Sequence, residues 1–343
     1  MNEIMRARPL VSAIIATYNR EHIVCEAIES ILNQTYKNIE VIIVDDGSTD
    51  NTQERLKQYG DRIHVVYQKN SGPAAAWNRG IKESRGEIIA FLGSDDIWLP
   101  TFVQRQVSLL ERAGESVPCC LSNSFLRFAT GKGTTSFEHA SLHSPCEEGI
   151  WRNVAEVLTT RFVVFGQVVA IRRTALEKAG GFDESLWYLE DFDLALKLSL
   201  LGPWGFIREP LVVWRQGTDS LSRKALIEQV HLKENLMKIR KHALTGLPDT
   251  SRFAALRTIL NRELGQDHWQ LRAAKLKQGN HWGAGAFSNL IQWAGRFRNY
   301  LFRRSPWYPK MEVTRLDQLS AFERNSFPEG VNEDVVHPSI VHK

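Results

Sequence analysis

The sequence predicts an α/β fold: a mostly parallel sheet flanked by helices, with a C-terminal helical extension. Two observations carry this. Four apolar runs, Val11–Ala16, Ile39–Val44, Ile63–Tyr67 and Ile88–Leu92, each stop on polar residues. The stretches between them read as helices, which sets up right-handed β-α-β units and gathers polar side chains along one rim. In open α/β sheets, such strand ends are where ligands bind.

The elements come in order. The first strand ends at Thr17-Tyr18-Asn19-Arg20, and a helix is expected from Ile23 to Asn33. The second strand ends at Asp45-Asp46, whose carboxylates are expected to face the rim. Gly47-Ser48-Thr49-Asp50 then reads as a tight turn with Thr49 or Asp50 as an N-cap. The third strand runs into Asn70-Ser71-Gly72-Pro73 and a helix over Ala74–Lys82. The fourth stops at Gly93-Ser94-Asp95-Asp96. Adjacent carboxylates repel unless a cation lies between them. Mg²⁺ is commonly held by one or two carboxylates plus substrate phosphates. A plainer reading makes Asp95 and Asp96 a surface turn before the helix that Pro100 opens. Further on, Glu190-Asp191-Phe192-Asp193 leads into a helix with Leu194, Leu198 and Leu201 on one side, where the dipole favours acids at its start. A last strand, Leu211–Trp214, ends at Arg215.

Composition narrows the class. The 343 residues are 43% hydrophobic and 24% charged, with a net charge of +4, which gives no argument for nucleic acid. Cys25, Cys119, Cys120 and Cys146 show no metal-ligand spacing and read as reduced residues. No run reaches the roughly 18 apolar residues of a membrane span. The N-terminus lacks the pattern of a signal peptide. A cytoplasmic protein is expected.

Taken in order, Thr17-Tyr18-Asn19-Arg20, Asp45 to Asp50, Asn70-Ser71-Gly72 with Asn78-Arg79-Gly80, Gly93 to Asp96 and Glu190 to Asp193 resemble glycosyltransferase family 2, the inverting transferases of the GT-A fold. The resemblance spans about residues 9 to 223. It implies a nucleotide-sugar donor of UDP or dTDP type, with Asp45 reading a ring N–H of the base and the backbone around Thr17 supporting it. It implies further donor contacts from Tyr18, Asn19, Arg20, Asn78, Arg79, Ser94, Asp95 and Arg215. It implies Mg²⁺ or Mn²⁺ on Asp95, with Asp96 beside it. It makes Asp191 the general base and Glu190 its partner toward the acceptor. The aromatic faces of Trp187 and Tyr188, just before this pair, suit either an acceptor sugar or packing in the core. The acceptor would be a carbohydrate or lipid-linked glycan of cell-envelope polysaccharide synthesis, receiving a hexosyl or N-acetylhexosaminyl unit.

The chain departs from the family pattern in two places. Gly93 stands where an acid usually gives Asp-x-Asp, and Trp77 stands where an Arg usually precedes Asn78. The first departure motivates a competing reading, a nucleotide-sugar-binding module without catalysis. A nucleotidyltransferase would need a glycine-rich loop after the first strand, which Thr17-Tyr18-Asn19-Arg20 is not. A phospho-acceptor domain would be about half this length.

The domain expectation is a catalytic unit over 1–224, a basic helical extension over 225–326 and a flexible tail over 327–343. Helices are expected at Ala225–Ala243, Ser251–Gln278 and Gly285–Phe302. Between Asp267 and Glu312 no acid occurs, while Arg272, Lys275, Lys277, Arg296, Arg298, Arg303, Arg304 and Lys310 do. Phe287, Leu290, Ile291, Ala294, Phe297 and Leu301 fall at helical spacing. Two readings stand: a helix lying on an anionic membrane surface, or one packed on the catalytic unit. The sequence is silent on oligomeric state.

Overall fold

A computed structural model describes residues 8–127, 133–161, 163–215, 228–278 and 308–319. The chain runs β1 (Val11–Thr17), α1 (Val24–Leu32), β2 (Ile39–Asp45), α2 (Thr52–Lys57), β3 (His64–Tyr67), α3 (Pro73–Glu83), β4 (Ile88–Gly93), β5 (Ile97–Trp98), α4 (Phe102–Ala113), β6 (Cys119–Arg127), β7 (Gly133–Thr135), α5 (Ser136–His139), β8 (Glu148–Trp151), α6 (Val154–Thr160), β9 (Val169–Arg172), α7 (Arg173–Ala179), α8 (Glu190–Leu201) and β10 (Trp204–Arg215). Then come α9 (Gln229–Gly246), α10 (Ala254–Gln278) and β11 (Val313–Thr314).

One sheet organises all of this, in the order β11-β8-β10-β6-β9-β4-β1-β2-β3. The part read most directly from sequence, β4-β1-β2-β3, is parallel throughout. The rest is mixed: β9 runs antiparallel between β4 and β6, and β10 is parallel to β6 but antiparallel to β8. Because β9 opposes both of its neighbours, β6 and β10 point the same way as β4. The C-terminal ends of β1, β2, β4, β6 and β10 therefore share one rim.

The elements form where apolar periodicity dictates. In β1, Val11, Ala13, Ile14 and Ile15 are buried on both faces, the pattern of a sheet covered on each side. On α1, Val24, Ala27, Ile28 and Ile31 make one buried stripe at helical spacing. Helix α3 lies very close to the sheet, since a Cβ on Gly80 would fall on the Ile14 side chain. Only glycine permits that approach.

Two sequence expectations are corrected. The strand expected at Leu211–Trp214 starts seven residues earlier, at Trp204, and bends through a register shift around Pro210. The extension is not wholly helical. After α9 and α10, residues 308–319 return to the sheet, where Val313 and Thr314 pair with Trp151 and Ile150 of β8. Arg152 N–H donates to the Glu312 carbonyl (2.8 Å), and Glu312 N–H donates to Asn153 Oδ1 (2.9 Å). The helix expected at Gly285–Phe302 and the tail from 327 lie outside the described residues. Helix α9 docks on α6 through a buried polar seam: Arg240 ion-pairs with Asp267 of α10 and donates to the Thr159 carbonyl at 2.7 Å.

Candidate functional site

The rim is assembled from strand ends. Asp45 closes β2 and is fully buried; its Oδ1 accepts the Ser48 N–H at 3.0 Å, the turn that its own position creates. Its Oδ2 has no hydrogen-bond partner among the described residues, and neither does Thr17 Oγ1 at the end of β1. Buried polar atoms are normally satisfied, so each orphan calls for an explanation. Asn19 holds a left-handed backbone (φ 52°) and is locked by two bonds: its N–H donates to Ser48 Oγ (2.9 Å) and its Oδ1 accepts from Thr49 N–H (2.8 Å). The Arg20 N–H donates to Thr52 Oγ1 (2.8 Å). Tyr18 between them is 44% exposed and open to a ligand. Asp50, expected as a cap, accepts from Thr52 N–H at 3.0 Å and ties α2 to the Glu21 backbone.

Asp46 does not turn to the open rim. It accepts from Gln68 Nε2 (2.7 Å), Ser71 N–H (2.8 Å) and Gly72 N–H (2.9 Å), and so fixes the loop that starts α3. Asn78 is equally committed. Its Nδ2 donates to the Phe182 carbonyl (2.9 Å) and Glu184 Oε1 (2.8 Å), while its Oδ1 accepts from Phe182 N–H (3.0 Å). Arg79 ion-pairs with Glu83 one turn on (2.8 Å), on the solvent side of α3. Both were expected at the donor. Asn78 instead pins the loop leading to Asp191, and Arg79 lies on a solvated helix face.

At the end of β4 the chain turns on an Asp96 N–H to Gly93 carbonyl bond (3.0 Å). Asp95 is half-buried, while Ser94 and Asp96 are buried. Asp96 Oδ1 accepts from Arg215 N–H at 2.9 Å. Burial first, and the Asp95 charge second, push the Asp96 carboxyl well above the usual range. Arg215 reaches the same turn: its Nε donates to the Asp95 carbonyl and its Nη1 to Glu26 Oε2 (2.6 Å). Its Nη2 is buried with no partner among the described residues. A Cβ at Gly93 would stand 2.7 Å from Asp96 Oδ2 and 3.1 Å from Asp95 Oδ1. A side chain at this position would push against the two carboxylate ends. Among the described residues, no group of three or more His, Cys, Asp or Glu is arranged to hold a metal. A divalent ion here would rest on Asp95 and Asp96 and on ligands from the substrate.

The second half of the rim is the loop from Gly181 to Leu189. Trp187 is 53% exposed, and its ring lies over Gly72, where a Cβ would meet Cζ3 at 2.9 Å. Gly72 also has φ 90°, so both its conformation and this ring demand glycine. Tyr188 is buried, not open to an acceptor as one of its two readings expected. Leu189 adopts a left-handed backbone (φ 67°), unfavourable for a leucine by about 1–2 kcal/mol. This kink turns the chain into α8, which opens with Glu190, Asp191 and Asp193. Asp191 Oδ1 accepts its neighbour Phe192 N–H at 2.7 Å. Burial raises the Asp191 carboxyl, and burial plus the Asp191 charge raise Glu190 to about 8. At neutral pH Glu190 therefore carries the proton. Asp193 is instead buried against Lys197 (2.7 Å).

Comparison with known proteins bears on this arrangement. Residues 12–176 match the model for Glycosyl transferase family 2, just under half of the chain. An uncharacterized glycosyltransferase of Rickettsia prowazekii is 34% identical over 210 residues, 60% of this chain and 63% of that relative. The chain thus spans less than two thirds of the relative's length. A putative teichuronic acid biosynthesis glycosyltransferase, TuaG of Bacillus subtilis, is 41% identical over 111 residues, 31% of this chain and 44% of its own. Among solved structures, S. aureus TarS in complex with UDP-GlcNAc superposes with a TM-score of 0.61 at 17% identity, over 85% of this chain and 90% of that one. The mannosyltransferase PcManGT from Pyrobaculum calidifontis, in complex with GDP-Man and Mn²⁺, gives 0.54 at 20% identity, over 88% and 82%. The fold is the GT-A fold of the TarS structures, and the matched segment is similar to glycosyltransferases.

Proposed function

We propose that the protein is an inverting glycosyltransferase that moves a sugar from a UDP- or dTDP-sugar to a hydroxyl of a carbohydrate or lipid-linked acceptor. The observation that carries this reading is the pair of buried, unpartnered oxygens at the ends of β1 and β2, Thr17 Oγ1 and Asp45 Oδ2. A carboxylate oxygen in that setting suits the imide N–H of uracil or thymine, with Tyr18 exposed beside it. Arg215 Nη2 is a buried donor of the right charge for a diphosphate.

Asp191 acts as the base. It takes the proton of the acceptor hydroxyl as the oxygen attacks the anomeric carbon. The anomeric C–O bond to the diphosphate breaks, and its electron pair leaves on the diphosphate oxygen. Configuration inverts without a covalent intermediate. Asp95, with Asp96, would hold a divalent metal on the diphosphate, and that ion would neutralise charge growing on the leaving group. Arg215 faces the same charge. Glu190, protonated at neutral pH, is suited to donate a hydrogen bond to the acceptor.

The test is calorimetric titration with UDP, dTDP and GDP, with and without Mn²⁺, on the wild type, Asp45→Asn and Asp95→Ala. The expected result is metal-dependent binding of a pyrimidine diphosphate, weakened in both variants. Gly93, which stands where an acid is usual, favours one other reading, a nucleotide-sugar-binding module; binding without release of diphosphate from any nucleotide sugar would establish it. The acid-free stretch between Asp267 and Glu312 supports contact with an anionic membrane on the cytoplasmic face, where lipid-linked acceptors reside. No helix among the described residues is long and apolar enough to cross a membrane.

A further inference from the structure

Helix α9 lies wholly beyond the family-matched segment, yet one of its faces is spent on the loop that ends at the base. Asn235 Nδ2 donates to the Tyr188 carbonyl at 3.2 Å. One turn on, Lys238 Nζ donates to Ser185 Oγ and ion-pairs with Asp183 Oδ2 at 3.3 Å. A further turn on, His242 and Ala243 line a small cavity with Asp193, Leu196 and Lys197 of α8. Just before the helix, the Glu228 carboxylate bonds to the Tyr188 side chain. Positions 228, 235, 238 and 242 recur at helical spacing, so a single face of α9 makes every contact.

Among the described residues, the loop's other side-chain anchors come from its own start and from α3. Asp183 organises its start by accepting Ser185 N–H at 2.9 Å. Asn78 of α3 grips Phe182 and Glu184 from the opposite flank. The strained Leu189 link stands between the loop and Glu190. A left-handed leucine persists only where its surroundings over-determine it, and the carbonyl just before it is the one Asn235 holds.

We infer that α9 is part of the catalytic apparatus, with Asn235 and Lys238 as positioning residues that clamp the Asp183–Leu189 loop and so aim Trp187, Glu190 and Asp191 at the rim. This rests on Asp191 being the base. Neither residue touches the reacting atoms. Their removal changes where the base sits and leaves the nucleotide site at β1, β2 and β4 as it is.

The experiment compares wild type, Asn235→Ala/Lys238→Met and Lys238→Arg in the full chain. Three readouts are taken: UDP affinity with Mn²⁺, hydrogen exchange by peptide, and UDP or dTDP release from a panel of nucleotide sugars. In the double variant, turnover falls about tenfold or more, because a misplaced base costs rate steeply. The KM for the nucleotide sugar and the UDP affinity stay within about twofold. Exchange quickens over 183–192 and is unchanged over 39–46. Lys238→Arg, which keeps the cation, retains wild-type exchange over the loop and most of the rate. Turnover within about twofold of wild type in the double variant overturns the inference. So does unchanged exchange over 183–192, or a rise over the whole chain, which would mark general destabilisation. A wild-type chain that binds no nucleoside diphosphate and releases none defeats the glycosyltransferase reading and this one with it. A fully active wild type beside an equally active double variant defeats only the clamp.

Discussion

Asp191 and Glu190 are adjacent acids with opposite assignments, and their environment separates them. With its carboxyl raised by burial and by the Asp191 charge, Glu190 titrates near pH 8. The folded chain therefore binds this proton more tightly than the unfolded chain, whose glutamate has the ordinary value of 4.5. Its contribution to stability is complete below that ordinary value and declines as pH rises toward 8. Glu190→Gln removes the decline, so its Tm relative to wild type should climb between pH 5 and pH 9. Parallel thermal melts across that range would show this, and a constant difference would contradict it. Asp191→Asn should lower turnover by about 10²–10⁴, the usual worth of a general base, with UDP affinity retained. At Gly93, restoring an acid should fail. Gly93→Asp sets a third carboxylate beside Asp95 and Asp96, where like charges repel and lower stability. Denaturant melts should show the loss, and titration with UDP and Mn²⁺ should show no tighter binding.

At the scale of elements, α3 is the part on which both halves of the site lean. Its first turn is fixed by Asp46, and its second turn sends Asn78 to the loop that precedes Asp191. Gly80 lets it lie against β1. Gly80→Ala should cost about 1–3 kcal/mol in a urea melt and should lower turnover, because α3 cannot retreat without dragging Asn78. The strands that bear the site were legible in sequence, since each apolar run switches abruptly to polar residues. The duties of individual side chains were less so. Asp46 and Asp45 look alike in the chain, and only the loop 22–26 residues onward separates the brace from the open acceptor. Asn78 finds its partners 104–106 residues away, and Arg215 finds Glu26 at a separation of 189. No local pattern encodes such meetings. Arg215 was nevertheless anticipated at the diphosphate side, and the structure brings it to the Asp95–Asp96 turn. Of the two readings open for Tyr188, acceptor face or core, the structure shows the second, with the ring buried beside α9.

For the whole molecule, the extension is tied at both ends. Helix α10 packs through the Arg240–Asp267 seam, and β11 closes the sheet beyond β8. If the basic stretch meets an anionic membrane, flotation with phosphatidylserine-containing vesicles should be strong at low salt and should fall as ionic strength shortens the reach of its charges to about 3 Å at 1 M. Equal recovery with neutral vesicles would exclude that role. The position of β10 has a practical consequence for exchanging parts between relatives. The match to the family model stops at residue 176, but β10, made from residues 204–215, fills the slot between β6 and β8. A chimaera cut at the end of the matched segment would splice a foreign strand into the middle of the host's sheet, together with a foreign α8. Junctions beyond residue 215 would exchange α9, α10 and β11 while leaving that slot to its own chain. The end of the family-model match is therefore a poor guide to where this protein can be cut.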